Sequence, residues 1–363
     1  MEPMKIESAV PARLRVRLLC AGVAALLCAC GPGGPKRETD DGSGGDTGPS
    51  TGISVLAGDA AVSGSSDNKG AAARFNTPRG IAIDANGNLY VADQLNFAIR
   101  KVAPDGTVST FAGKRGTSGT KNGTGTNALF TQPSAITIDG NSDLYVTDGV
   151  AIRKITPDGT VSTLITFAAS DFSGDTRLFP GGIAADGSGN LIVTTGVDTR
   201  RVPLANPNRW TKLETGAVEI LPGTIDPVTR GVAVNADDTA YVADLKKTIS
   251  RATSGASSLA TFAGTPGQTG KDDGNATTAR FQQVVALTVA KNGDLYAADA
   301  VNNTIRKITT NAVVTTPAGT AGATALKTGK LLGSFATLRG LTVAPDGTLY
   351  ATSGHAVVKI VLP

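Results

Sequence analysis

Residues 75–113 read FNTPRGIAIDANGNLYVADQLNFAIRKVAPDGTVSTFAG, and this stretch recurs along the chain. Clear copies are FTQPSAITIDGNSDLYVTDGVAIRKITPDGTVSTL (130–164) and FQQVVALTVAKNGDLYAADAVNNTIRKITTNAVVTTPAG (281–319). Weaker copies occupy residues 181–202, 230–252 and 335–360. A period of about 50 residues is typical of architectures in which each repeat is one structural unit.

The tyrosines mark one position of this repeat. All five fall in the same place, and Ile192 takes that place in the third copy; the tyrosines are Tyr90, Tyr145, Tyr241, Tyr296 and Tyr350. Successive copies are spaced by 55, 47, 49, 55 and 54 residues. A repeated aromatic in the middle of a strand favours packing between neighbouring units over a stacking platform for sugars or bases.

Each copy predicts four short strands, which we name a to d. In the first copy these are Ile81–Ile83, Leu89–Val91, Ile99–Val102 and Val108–Ala112. Turn sequences rich in Asp, Asn and Gly separate them, including Pro-Asp-Gly at 104–106, 157–159 and 345–347. One such sheet cannot bury both faces, whereas six arranged radially can, so the expected fold is an all-β, six-bladed β-propeller with four-stranded blades.

The pattern GNLYVAD…N…IRK(V/I)…PDG resembles the NHL repeat, from residue 53 to the C-terminus. That resemblance implies the same six-bladed propeller. The last copy stops after strand c, while residues 53–58 contain a spare strand-d sequence that matches Ser109–Gly113. We therefore expect the N-terminal strand 53–58 to close the last blade and remove its open edge.

The N-terminus predicts export and a lipid anchor. Basic residues precede an apolar run, Leu18–Leu27, that has the length of a signal-peptide core and is too short to span a bilayer. The following Leu-Cys-Ala-Cys resembles a bacterial lipobox, with Cys30 as the lipidated residue; cleavage at an ordinary secretory site is the alternative. We expect a lipoprotein signal peptide at 1–29, a lipidated Cys and flexible Gly/Pro-rich linker at 30–52, and an NHL-repeat β-propeller at 53–363.

Composition narrows the possible functions. All three Cys lie in the first 30 residues, so the mature chain would contain no internal disulfide. A single His excludes a three-histidine zinc site, and three Cys exclude a Cys₄ site. The net charge of +4 offers no footprint for nucleic acid. Gly31 after the lipidated Cys points, by resemblance to the sorting rule of enteric bacteria, to an outer-membrane lipoprotein on its periplasmic or surface face.

The candidate site residues lie where strand a begins and where strand b meets strand c, because these loops share one face of the disc. Arg79, Arg230 and Arg339 precede strand a, and His355 lies in the last b–c loop; these four are the candidate ligand-binding residues. Four aspartates recur three residues after a tyrosine, and they either hold a ligand or satisfy turn amides and pair with the strand-c arginines Arg100, Arg153 and Arg306; the four are Asp93, Asp148, Asp244 and Asp299. We assign no catalytic residue, no metal ligand and no cofactor.

We expect a monomeric, lipid-anchored envelope propeller that acts as a non-catalytic binding or scaffolding module for a protein or glycan partner. The long loops after strand d of blades one, two and five are candidate binding segments. The alternative is a divalent-metal-dependent envelope hydrolase or lyase, similar to lactonases, with its site in the central channel. A stoichiometric divalent cation in the channel would favour the enzyme.

Overall fold

The computed structural model describes residues 51–172, 180–195, 198–213, 231–244 and 247–363. The chain divides into residues 1–48 and 49–363, and all described residues belong to the second unit. The signal peptide, Cys30 and most of the linker predicted from the sequence lie outside the described residues, as does Arg230.

The described strands form six antiparallel sheets, one for each predicted blade. Blade one contains β2 (Pro78–Ile83), β3 (Leu89–Asp93), β4 (Ala98–Val102) and β5 (Val108–Ala112). Blade two contains β7 (Pro133–Ile138), β8 (Leu144–Asp148), β9 (Ala151–Ile155) and β10 (Thr160–Thr166), with β6 (Gly123–Thr124) added to its outer edge. Blade three contains β11 (Ile183–Ala185), β12 (Asn190–Thr194), β13 (Thr199–Pro203) and β14 (Thr211–Lys212).

Blade four contains β15 (Val232–Val234), β16 (Ala240–Ala243), β17 (Ile249–Ala252) and β18 (Ala260–Ala263). Blade five contains β19 (Val284–Val289), β20 (Leu295–Asp299), β21 (Thr304–Ile308) and β22 (Val314–Ala318). Blade six contains β23 (Leu338–Val343), β24 (Leu349–Ser353) and β25 (Ala356–Val361), and β1 (Gly52–Gly58) supplies its fourth strand. Short 3-10 turns occur at Gly70–Ala72, Gln94–Asn96, Gly125–Asn127, Ala169–Phe172 and Pro207–Arg209. The predicted six-bladed, four-stranded fold is confirmed.

The N-terminal strand closes blade six as predicted. It pairs antiparallel with β25 from Gly52 opposite Val361 to Gly58 opposite Ala356, with a bulge between Val55 and Ala57. Ile53 and Ala57 are buried in this junction, with 2% and 0% of their surfaces exposed. The two ends of the propeller sequence are therefore joined by backbone hydrogen bonds and by apolar packing, which leaves no open edge at the closure.

The apolar core lies between neighbouring blades. The Tyr90 ring packs edge-on against Phe111, with centroids 5.0 Å apart, and belongs to a buried cluster that includes Ile136 and Val146 of blade two. Tyr241 makes the corresponding contact with Phe262 at 5.3 Å. The tyrosines are therefore packing residues. Four phenylalanines that precede strand a are also buried, with 0–1% exposure, as predicted: Phe75, Phe130, Phe281 and Phe335.

Candidate functional site: the channel face

Strand register places the candidate residues on one face of the disc. The first residue of strand a lies opposite the last residue of strand b: Pro78 opposite Asp93 in blade one, and Leu338 opposite Ser353 in blade six. The start of strand a and the b–c loop of each blade consequently share a face, which we call the channel face. It contains Arg79, Arg339 and His355.

The aspartates that recur on this face are turned into the protein. Asp93 accepts the Asn76 amide at 2.7 Å and the Asn96 side-chain amide at 2.8 Å, and it pairs with Arg100 at 2.8 Å. Asp93 and Arg100 are both fully buried. Burial raises the pKa of Asp93 to about 6, because desolvation outweighs the lowering by Asn96 and Arg100. The carboxylate therefore caps the loop that enters strand a.

Blades two and five repeat this arrangement. Asp148 accepts the amides of Thr131 and Gln132 and lies 3.1 Å from Arg153. In blade five the corresponding pair is Asp299 and Arg306, at 3.5 Å, and Asp299 accepts the amides of residues 282 and 283. Of the two interpretations that the sequence left open, the structural one accounts for these three aspartates.

The other blades change the aspartate and the arginine together. In blade six Ser353 occupies the aspartate position and Val358 the arginine position, and the Ser353 hydroxyl accepts the Ala336 amide at 2.9 Å. In blade four Ser250 replaces the arginine, and its hydroxyl donates to Asp244 at 2.9 Å. A buried charge on this face is thus present with a partner, as expected from the cost of burying an unpaired charge.

Blade three keeps the arginine and supplies its carboxylate from a later position. Arg200 pairs with Asp198 at 2.8 Å, and its guanidinium lies 4.1 Å from the Trp210 ring centroid. Trp210, which stands outside the repeat pattern, therefore covers the buried cation of an irregular blade. This contact is a cation–π interaction.

The strand-c arginines also hold the Gly-rich loops that precede each blade. Arg100 donates to Asp67 at 2.5 Å, Arg153 to Asn122 at 2.9 Å and Arg306 to Asp273 at 2.9 Å. Sequence reasoning missed these acceptors. The pattern that reveals them is a glycine, an acceptor three residues later and a phenylalanine eight residues after that, in 64–75, 119–130 and 270–281.

These loops run along the outer strand of the following blade. Thr124 pairs with Thr160 at the edge of blade two, and Gly274 makes a β-bridge with Val314 at the edge of blade five. The loop after blade one, which the sequence marked as a candidate binding segment, is therefore used in part to cover a sheet edge. The loop after blade two includes residues outside the described ranges.

The channel opens on this face through a narrow mouth. Strand-a residues of all six blades line a cavity of about 60 Å³, among them Arg79 and Arg339. Small residues recur around it because neighbouring backbones touch there: a Cβ at Gly80 would lie 2.6 Å from the Ser134 carbonyl oxygen, and one at Gly340 would overlap the Arg79 carbonyl. The repeat thus brings the strands close enough to leave room for only a few water molecules.

The two described candidate arginines are held at this mouth. Arg79 Nε donates to the Gln94 side chain at 2.7 Å, and an Arg339 nitrogen donates to the Gly354 carbonyl at 3.3 Å. Both residues are half-buried. Arg230 precedes strand a of blade four in the sequence, but it lies outside the described residues. The structure therefore brings two of the three predicted arginines to one cavity.

His355 joins the last blade to the first. Its Nδ1 accepts the Thr77 backbone amide at 3.1 Å, and its own amide donates to the Ala60 carbonyl at 3.1 Å. Burial lowers the pKa of His355, and the nearby positive charge of Arg339 lowers it further, while Asp59 opposes the shift. The neutral imidazole acts here as a hydrogen-bond acceptor for the backbone. Ser353 bonds to Ala336 instead, so these two side chains do not form a nucleophile–base pair.

Two further searches concern metals and membranes. The described residues include no group of three or more His, Cys, Asp or Glu side chains placed to hold a metal ion. Within the same part of the chain, no helix has the length and apolar character needed to cross a membrane.

Comparisons with known proteins agree with this architecture. Residues 40–127 match the family described as the teneurin NHL domain. No curated protein matches the sequence. A solved protein of unknown function from Bacteroides thetaiotaomicron is similar in structure, with a TM-score of 0.70 and 18% identity over 86% of this chain and 76% of that one.

Two other solved structures carry functional descriptions. An auxiliary nutrient binding protein from B. thetaiotaomicron has a TM-score of 0.65 and 14% identity, over 86% of this chain and 76% of its own. A gluconolactonase from Xanthomonas campestris has a TM-score of 0.55 and 15% identity, over 80% and 87%. At such identities the likeness concerns the fold alone. The family match and the six blades together support an NHL-repeat β-propeller.

Proposed function

We propose that this protein is a lipid-anchored, non-catalytic binding module of the bacterial cell envelope, and that its channel face receives a protein or glycan partner. The observation that carries the proposal is the use of charge on that face. The repeated carboxylates of blades one, two and five are buried against arginines, whereas Arg79 and Arg339 line the channel mouth. The face is therefore suited to an anionic group of a partner.

The same observation weighs against the metal-dependent alternative. A hard cation in the channel needs several carboxylate or amide oxygens directed at it. Asp93, Asp148 and Asp299 use their oxygens for backbone amides and arginines instead. A structural neighbour is described as an auxiliary nutrient binding protein, which is in keeping with a binding role for this architecture.

The proposed anchor is the lipid on Cys30, joined to the propeller by the Gly/Pro-rich linker. One lipidated residue and a flexible linker would hold the propeller near the membrane without imposing one orientation. The channel face could then meet partners within reach of the linker. We propose the outer membrane as the location, on the basis of Gly31.

The test is a binding screen with the purified full chain. Glycan arrays and separated envelope proteins serve as probes, and an Arg79→Gln, Arg339→Gln double variant serves as the matched comparison. We expect a defined partner that the native chain binds and the double variant binds at least tenfold more weakly. The proposal fails if neither probe set contains such a partner.

A metal analysis and a lactone panel decide against the enzyme in the same experiment. A stoichiometric divalent cation, together with lactone turnover that a chelator abolishes, would support the hydrolase instead. Thermal denaturation of the double variant shows whether it is folded, so that a loss of binding reports on the face.

A further inference from the structure

Three exposed apolar side chains occupy one repeat position on the channel face. Leu95, Val150 and Val301 each lie two residues after the recurring aspartate, and 47%, 40% and 53% of their surfaces are exposed. They are three of the seven large apolar side chains that are exposed in the described part of the chain. His355 occupies the corresponding position in blade six, and positions 197 and 246 lie outside the described residues.

The backbone around these side chains is fixed by hydrogen bonds. The Leu95 amide donates to the Asn76 carbonyl at 3.1 Å, and the Val150 carbonyl accepts the Phe167 amide at 3.0 Å. Next to Val301, the Ala300 amide donates to the Gln283 carbonyl at 2.8 Å. Equivalent positions of a closed repeat lie at equivalent heights, so these apolar tips surround the channel mouth. We call Leu95, Val150 and Val301 the apolar rim.

The mouth inside the rim has the size and charge for one small anionic group. Its volume of about 60 Å³ is well below the roughly 300 Å³ at which small-molecule pockets begin. Arg79 and Arg339 line it, and hydrogen bonds inside the protein leave their positive charge in place. A carboxylate fits this space, whereas a whole sugar ring is too large for it.

We infer that the channel face captures a protein segment in which a carboxylate, from Asp, Glu or a chain terminus, is flanked by aliphatic side chains. The carboxylate enters the mouth between Arg79 and Arg339, and the aliphatic neighbours pack on the apolar rim. Charge complementarity at the mouth and apolar contact around it are the usual division of roles in such sites. The inference rests on the proposed function and chooses a protein partner over a glycan.

A flat anionic membrane fits these features less well. The arginines line a recess, so a partner must send a protruding group into it. A peptide presents such a group, whereas a layer of lipid headgroups would meet the rim first. Membrane binding is therefore an outcome that the test must separate.

The probe is an array of random decapeptides immobilised through their N-termini, with free C-terminal carboxylates on one copy and amidated C-termini on another. We expect the full chain to select peptides with a carboxylate next to Leu, Val or Ile. A triple variant, Leu95→Ser with Val150→Ser and Val301→Ser, is expected to bind the selected peptides at least tenfold more weakly. The Arg79→Gln, Arg339→Gln variant is expected to lose binding and its dependence on salt.

The matched control replaces exposed valines elsewhere: Val55→Ser in β1 and Val313→Ser before β22 have similar exposure, at 37% and 42%, and should retain binding. Selection of no peptide, selection of basic peptides, or equal binding by the triple variant would overturn the inference. Binding only to phosphatidylglycerol vesicles, or self-association through the rim, would also overturn it. If a glycan array yields a partner and the peptide array does not, the proposed function stands and this inference fails.

Discussion

The buried pair of blade one has a natural replacement in blade six. Asp93 and Arg100 lie 2.8 Å apart with no exposed side-chain surface, while Ser353 and Val358 occupy the same two positions of the last blade. We predict that Asp93→Ser combined with Arg100→Val costs less stability than Arg100→Val alone. The second substitution is expected to rescue the first because it removes the charge that the first leaves without a partner.

The size of the effect follows from burial. Removing one member of a buried ion pair costs about 3–5 kcal/mol, since the remaining charge stays desolvated. In the double variant a serine hydroxyl can still accept the Asn76 amide, as Ser353 does for Ala336 at 2.9 Å. The loop carbonyls of Ser66 and Arg74 lose their donor in both variants, so that cost cancels. We therefore expect a coupling of about 2 kcal/mol.

Calorimetry of the four proteins at pH 7.5 measures this coupling. With an unfolding entropy of about 2.1 cal/mol/K per residue over about 310 residues, 1 kcal/mol corresponds to roughly 1.5 °C in Tm. The arginine variant should melt roughly 5–8 °C below the native chain, and the double variant about 3 °C above the arginine variant. If the two single effects add to within about 0.5 kcal/mol, the pair is not coupled and the reasoning is refuted.

The pH dependence gives a second reading of the same pair. The pKa of Asp93 is raised from 3.8 to about 6, so its ionisation lowers the stability of the native fold as the pH rises through that range. Loss of the Arg100 charge raises this pKa further. The penalty of Arg100→Val should therefore shrink between pH 7.5 and pH 5, because the carboxyl is then neutral in the folded protein.

Three further predictions concern the closure, the histidine and the anchor. Ile53→Ala should cost about 2–5 kcal/mol by leaving a cavity under β1, whereas Val55→Ala on its exposed side should change Tm little; equal melting curves would contradict the closure. The pKa of His355 is lowered, so stability should fall as the pH drops below the usual His value of 6.5, and His355→Gln should reduce that fall in Tm measured from pH 7.5 to 5. Cys30→Ser should release the protein from the membrane fraction, and an unchanged fraction or an unlipidated Cys30 by mass spectrometry would rule out the anchor.

Much of the fold could be predicted because the repeat is written locally. The Asp-Ala-Asn-Gly turn, the alternation around Tyr90 and the Pro-Asp-Gly turn each specify short-range geometry, and six copies specify a closed disc. The spare strand at 53–58 was recognisable by its likeness to 109–113. The pairing of the recurring aspartates with strand-c arginines could be stated only as one of two alternatives, because spacing does not show which way a carboxylate turns.

The site was less accessible to sequence reasoning. The acceptors Asp67, Asn122 and Asp273 recur in loops whose Gly-rich composition resembled variable linkers, and comparison of those loops would have revealed them. The apolar rim follows from residues two positions after each aspartate, but exposure of an apolar side chain is a property of the folded surface. The narrowness of the channel depends on contacts between backbones of neighbouring blades.

By itself, the sequence determined the repeat, the number of blades, the strand that closes the last one and the residues that pack between blades, because each depends on short-range patterns copied at a regular interval. Tertiary structure decided which charges are turned inward, that His355 reaches the amide of Thr77 across 278 residues, and that Arg79 and Arg339 share one cavity. Closing the disc brings the first and last blades together, and contacts made by that closure join residues with no local relation in the chain.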